Sequence, residues 1–286
     1  MRVLLAGLCT VDVVQRVAEL PAPGEKVQSL RVDVAAGGPA TNAAVTAAAL
    51  GAEATLLTVL GAHPLAALAR ADLETHGVRV VDLDPSRSDP PPVSAVAVRD
   101  RDGERTVVSR NAEDRAFLAK APLFEAGGAD GADVVLLDGH LPELAVAVAK
   151  AANVAGVPVV LDAGSWKPVL DELLPLVDVA ACSAHFRAPE PGLHQRGVPM
   201  VIITSGPAPV RWSTADGGSG EVPVPSVEAR DTLGAGDVWH GALAVAVARK
   251  LTVTDRIRFA NEVAAERVRL VGPRSWTTAI AGRNGT

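Results

Sequence analysis

Asp231-Thr232-Leu233-Gly234-Ala235-Gly236-Asp237, followed at once by Val238-Trp239-His240-Gly241-Ala242-Leu243, is the stretch on which the reading of this chain turns. Two glycines flanking Ala235 let the backbone turn with its N–H groups exposed, and the Ala- and Val-rich run to Ala248 continues as a helix. Amides at a helix start, backed by the positive end of the helix dipole, make a hole for an oxyanion. Asp237, in the first turn, sets a carboxylate beside that hole. A potential base next to an anion site points to phosphoryl transfer.

Outward from this stretch, short apolar runs that end in polar residues alternate with helical segments. The runs are Val3–Gly7, Ala54–Leu60, Val78–Leu83, Val134–Leu137, Val157–Leu161, Val177–Cys182 and Val201–Gly206. Between and after them come helices over Ala40–Leu50, Pro64–His76, Leu144–Ala155, Ala235–Lys250 and Asp255–Leu270, the last with its N-cap at Thr254-Asp255. This rhythm predicts an α/β fold, a doubly wound and mostly parallel sheet whose ligands bind beyond the carboxyl ends of the strands. Asp12, five residues past Gly7, either meets a polar ligand there or caps a turn. Ala35-Ala36-Gly37-Gly38-Pro39-Ala40-Thr41-Asn42 is a second passage from glycine into a helix. Gly38 lets the backbone approach a ligand, and Asn42 offers hydroxyl groups both a donor and an acceptor; the same residues also suit an ordinary loop-to-helix joint. His140 and Arg110 are further pocket candidates, His140 being equally consistent with a solvated loop histidine.

Two β-prone pairs interrupt the rhythm. Val11–Val17 pairs with Val27–Val34 across Leu20-Pro21-Ala22-Pro23-Gly24, and Val93–Arg99 pairs with Glu104–Arg110 across Asp100-Arg101-Asp102-Gly103, a hairpin signal. They are expected to join as a small β-sheet lid drawn from about residues 11–36 and 93–110, on a single domain spanning 1–286. Ala95, Ala97 and Arg99 alternate with Val96 and Val98, which leaves an apolar face for a ligand, a partner subunit or the main domain to cover. A homodimer through the lid is the expectation.

Bulk composition narrows the function. A formal net charge of −6 over 286 residues, without a stripe of Lys and Arg, argues against nucleic acid as a partner. Cys9 and Cys182 are the only cysteines, with no partners at metal-ligand spacing, which excludes a disulfide framework and a zinc site and fits a reducing, cytoplasmic compartment. No apolar stretch approaches the roughly 20 residues that span a bilayer, so no membrane partner is expected.

With Gly37-Gly38-Pro39-Ala40-Thr41-Asn42, Asp231 to Asp237 and Asp12 in hand, the chain resembles the PfkB, or ribokinase-like, family of carbohydrate kinases. The resemblance implies the ribokinase-like fold and transfer of the γ-phosphoryl group of ATP, with Mg²⁺, to a hydroxyl of a sugar or sugar-like molecule. It implies that Asp237 is the catalytic base, with Gly234, Ala235 and Gly236 as the anion hole. Asp12, Gly38 and Asn42 match positions that hold sugar hydroxyls. Thr204, Gly206 and Asn261, together with Gly234 and Gly236, match the nucleotide side. Three positions depart from the family pattern: Cys182-Ser183-Ala184-His185-Phe186 replaces a metal-organising Asn-x-x-Glu, Pro209 replaces a glycine, and Trp239 replaces a phenylalanine. The metal ligands are therefore unassigned. Close variants of Asp-Thr-Leu-Gly-Ala-Gly-Asp in ketose-kinase branches point to a ketose. A nucleoside kinase of the same fold, or a non-catalytic sugar- or nucleotide-binding regulator, are the alternatives; the absence of tyrosine and scarcity of phenylalanine disfavour stacking on a base.

Overall fold

The structure is a computed structural model that describes residues 1–110, 129–281 and 283. In chain order its elements are β1 (Arg2–Ala6), β2 (Thr10–Val17), β3 (Ser29–Gly37), α1 (Pro39–Ala49), β4 (Glu53–Thr58), α2 (Pro64–Thr75), β5 (Val78–Asp82), β6 (Val93–Arg99), β7 (Arg105–Ser109) and β8 (Val134–Leu137). There follow α3 (Pro142–Ala155), β9 (Val159–Ala163), β10 (Val179–Ser183), β11 (Met200–Ser205), β12 (Ala208–Thr214), β13 (Ser219–Val222), α4 (Ala235–Ala248) and α5 (Val253–Arg269), with single helical turns at Leu170–Leu173 and Thr277–Ile280.

Among the described residues, nine strands form one sheet in the order β13-β12-β11-β10-β9-β8-β1-β4-β5. Every pairing from β11 to β5 is parallel, and β12 and β13 add an antiparallel edge. The chain begins in the middle at β1, fills one side with β4 and β5, then the other with β8 to β11. Strand order therefore reverses between β1 and β8, and a crevice opens beyond their carboxyl ends. The short apolar runs form strands because both faces are covered. Val3, Leu5, Leu56, Val134 and Leu136 pack in one core with α1, α4 and α5, while Leu4, Ala6, Leu57, Val135 and Leu137 pack in a second core with α3. Leu5, Leu56 and Leu136 are fully buried, and truncating any of them to alanine would cost about 2–5 kcal/mol.

The lid is a four-stranded sheet in the order β3-β2-β6-β7, in which the two expected antiparallel pairs are joined by a parallel β2–β6 contact. Its inner face buries Val14, Val96 and Val98 against Leu233 of the glycine loop. The outer face stays bare: Leu30, Val32, Val34 and Val108 are 61%, 56%, 51% and 71% exposed. The N-cap of α5 differs from expectation. It is Thr252, whose Oγ1 accepts from the Asp255 amide at 3.3 Å and donates to the Asp255 carboxylate at 2.6 Å, because a capping pair needs a spacing of three residues. Among the described residues no helix is long and apolar enough to cross a membrane.

Candidate active site

The glycine loop is pinned before it turns. Asp231 accepts from the Leu233 amide and the Gly272 amide, both at 3.0 Å, and from α5 the guanidinium of Arg267 lies 3.3 Å from its carboxylate. Arg16 of the lid approaches the same carboxylate at 4.0 Å and donates to the Arg230 carbonyl at 3.0 Å. All three charged residues are buried, so losing one partner would strand an uncompensated charge at a cost of about 3–5 kcal/mol. Arg105, also from the lid, donates to the Thr232 hydroxyl at 2.8 Å. Gly234 then turns with φ at 69°, a left-handed conformation that favours glycine, and caps α4. The Ala235 amide is closed back onto the Thr232 carbonyl at 3.3 Å. The amides of Gly236 and Asp237 have no backbone acceptor among the described residues, as the first turn of a helix leaves them.

Asp237 is held from α1. Asn42 Nδ2 donates to its Oδ2 at 2.8 Å, and Arg274 Nη1 donates to Asn42 Oδ1 at 3.1 Å. Arg274 is itself fixed by two bonds to Asp72 of α2, at 3.1 and 2.8 Å. Both ends of the Asn42 amide are thus engaged, so besides any hydroxyl it meets, Asn42 orients Asp237. Burial first, and then the charge of Asp162, push the Asp237 carboxyl up to about 7, well above the ordinary value that an exposed loop aspartate would keep.

On the lid side, Asp12 accepts from Thr10 Oγ1 at 2.6 Å, and burial raises its carboxyl above the usual range. Ser94, its register partner on β6, shares this face and bonds Ser109 at 3.1 Å. Gly38 caps α1 with φ at 99°, and a Cβ there would stand 2.4 Å from the Leu8 carbonyl oxygen. Asp138 ties the joint together: its carboxylate accepts from the amides of Leu8, Ala40 and His140 at 2.9, 3.2 and 2.9 Å. Asp12, Asn42 and Gly234 meet at one small cavity of about 20 Å³. The structure places His140 half-buried just past β8. Arg110 is exposed one residue beyond β7.

Beyond the loop lies a cleft of about 470 Å³, lined among others by Thr204, Gly206, Gly236, Trp239, Asn261 and Arg105. Gly206 and Pro207 turn the β11–β12 hairpin, and Pro209 sits exposed within β12, so the hairpin accommodates the departure from the family pattern. Asn261 contributes to the wall with its amide already committed, accepting from Trp239 Nε1 at 2.8 Å and donating to the Pro223 carbonyl at 3.1 Å. Trp239 is 4% exposed and belongs to the core. Local sequence offered no sign of Arg16, Asp72, Arg105, Arg267 or Arg274, whose partners lie far along the chain. No group of three or more His, Cys, Asp or Glu converges among the described residues, and the hydroxyl of Ser183 donates to the Gly164 carbonyl at 3.2 Å.

The chain is 28% identical over 272 residues to the ribokinase of Bacillus subtilis (strain 168), covering 92% of this chain and 91% of that one. It is 35% identical over 166 residues to an ATP-dependent ribose-1-phosphate kinase of Halopiger xanaduensis, covering 57% of this chain and 54% of that one. Among solved structures, ribokinase of Arabidopsis thaliana complexed with ribose and ATP superposes with a TM-score of 0.77 at 23% identity, covering 98% of each chain. The pattern of the pfkB family carbohydrate kinases matches residues 2–185 and 189–279. A glycine loop that opens a helix, a carboxylate in its first turn, a lid and this match converge, and the chain belongs to the pfkB family of carbohydrate kinases.

Proposed function

We propose that this chain transfers the γ-phosphoryl group of ATP to a hydroxyl of a small sugar of the ribose class, with Asp237 receiving the hydroxyl proton. One observation carries the reading: the glycine loop is a partition. Thr232, Ala235 and Gly236 face the cleft, whereas Leu233 and Gly234 face the cavity of Asp12 and Asn42. A nucleotide in the cleft and an acceptor on the other side would meet at the start of α4, where the amides of Gly236 and Asp237 and the helix dipole stabilise the charge that passes. Asp12, Gly38, Asn42 and His140 form the acceptor side, and Thr204, Gly206 and Asn261 the nucleotide wall. Asp237 aligns the hydroxyl, and its carboxyl near neutrality suits a proton acceptor. Mg²⁺, bound through the nucleotide's phosphates, would supply charge neutralisation there, with the amides of Gly236 and Asp237 beside it.

A sugar is favoured over a nucleoside because the aromatic residue on the acceptor side, Trp276, is 1% exposed and offers no face for stacking. The names of the relatives put ribose ahead of the ketoses. Free, buried Cys9 and Cys182 fit a cytoplasmic setting, and the bare outer face of the lid fits a homodimer. The test is an ADP-release assay over ribose, ribose 1-phosphate, ketoses and nucleosides. Turnover is expected with ribose or a close relative; turnover confined to nucleosides, or nucleotide binding without turnover on any acceptor, would overturn the reading.

A further inference from the structure

His240 lies one turn beyond Asp237 on α4, facing inward, where phosphoryl transfer gives it no direct task. Its ring nitrogens meet two oxygens: Nε2 is 3.3 Å from the Ala181 carbonyl, and Nδ1 is 3.2 Å from Asp162 Oδ2 at the end of β9. Both residues are buried, His240 at 5% and Asp162 at 7% exposure. A carbonyl oxygen only accepts, so Nε2 carries a proton. The carboxylate beside Nδ1, although off the axis of an aligned hydrogen bond, favours a proton there as well. A neutral ring has one N–H and cannot serve both, so the site selects the imidazolium.

We propose that Asp162 and His240 form a buried carboxylate–imidazolium pair that keeps Asp237 ionised, His240 acting as a positioning residue for the base. The proposal rests on Asp237 being the proton acceptor. A neutral histidine that merely fills the gap between α4 and the sheet accounts for the burial, but not for two acceptor oxygens at its two nitrogens. The charged surroundings define the balance. Asp237 faces Asp162 from β9, Asp12 from β2 and His240 on its own helix, is bonded by Asn42 of α1, and acts on Arg267 of α5. Asp162 is faced in turn by Lys167 and His140, and the neighbouring Cys182 thiol of β10 stays neutral, pushed up to about 12 by burial. Buried Asp162 and half-buried Asp237 thus act on each other, and His240 is the cation on α4 that offsets them. Burial opposes charge on both members of the pair. Burial is the largest single influence on each, and it is outweighed only in sum: by His240 together with Lys167 and His140 to hold Asp162 below the usual carboxylate range, and by Asp162 together with Asp237 and the Ala181 carbonyl to raise His240.

The experiment has two arms. In the first, the acid limb of kcat/KM is measured for wild type, His240→Gln and the double variant His240→Gln/Asp162→Asn, each checked for folding by circular dichroism. Wild type should lose activity as pH falls through about 7, where the Asp237 carboxyl takes up a proton. His240→Gln should move that limb upward by about one pH unit, and removing Asp162's charge as well should bring it back toward wild type. A folded His240→Gln with an unmoved limb overturns the proposal. The second arm needs no turnover: ¹⁵N NMR of the histidine-labelled wild-type chain, with His240 assigned through its backbone. Protons on both ring nitrogens at pH 7.5 are expected, and a neutral imidazole there overturns the proposal, whether or not a variant folds or any sugar is phosphorylated.

Discussion

The two glycine-to-helix junctions are alike in sequence and unlike in space. Gly38 and Gly234 both cap a helix with positive φ, 99° and 69°, and both precede a polar side chain in the first turn, Asn42 and Asp237. At Gly38 the space is full: a Cβ would meet the Leu8 oxygen at 2.4 Å. At Gly234 the nearest atoms are Asn42 Nδ2 at 3.4 Å and Asp237 Oδ2 at 3.5 Å, and around Gly236 there is none within 4 Å. The first joint is packed and places side chains; the second is open and leaves amides for a ligand. The same local pattern therefore yields a packed joint or an open one according to what the rest of the chain lays over it.

Asp237→Asn tests this difference most severely. It keeps the size of the side chain and removes the proton acceptor, so kcat should fall on the order of a hundredfold or more while calorimetry shows nucleotide binding nearly unchanged. Retained turnover would mean that the open junction only binds. The two junctions should then separate in stability. Gly38→Ala forces a Cβ onto a carbonyl oxygen at a left-handed position and should cost roughly 3 kcal/mol or more, a drop of several degrees in Tm. Gly236→Ala meets no neighbour, so Tm should stay within about 2 °C while nucleotide affinity weakens. Equal Tm losses at the two sites would erase the distinction.

Asn42→Ala probes the link between the joints. The bond from Asn42 to Asp237 spans 195 residues, and that from Arg274 to Asn42 spans 232. Removing the amide frees the carboxylate to turn and should lower kcat about tenfold and Tm by several degrees, since a hydrogen bond to a charged group is worth about 1.5–3 kcal/mol. Full activity would show that Asp237 holds its aim without α1.

What was legible in the sequence follows from the range of the interactions. Strands such as Val134–Leu137 and the helix after Gly234 announce themselves because burial on both faces and helix initiation are written in neighbouring residues. The same holds for Asp12, Asn42 and Asp237 as positions, since each stands by a glycine or a strand end. Their partners were not legible. Asn42 read as a ligand to hydroxyls, and it lines the cavity with its amide also held between Arg274 and Asp237. Asn261 read as a wall of the nucleotide site, and it lines the cleft with its amide bound to Trp239 and Pro223. Asp162 and His240 are 78 positions apart in sequence and meet only because β9 ends beneath α4, so no spacing marks them as a pair. Even locally, two threonines compete to cap α5, and what decides for Thr252 is its three-residue distance to Asp255 rather than its identity.

The smallest effect is expected at the lid, whose strand β3 runs straight into the packed joint at Gly38. Val34, Val13, Ala95 and Val108 stand in register across all four strands on the outer face, and Val108 is the most exposed of the large apolar residues there. If this face pairs with its copy, Val108→Lys puts like charges into an apolar contact and should turn a dimer into a monomer by light scattering. Because Val108 points away from the face that carries Asp12 and Ser94, the chemistry itself should survive. What should change is the acceptor side alone: a rise of roughly two- to threefold in KM for the sugar, with KM for the nucleotide constant. An equal change in both would mean that the lid acts on the open junction through Arg16 and Arg105, and the packed joint would no longer be the route by which the outer face is felt.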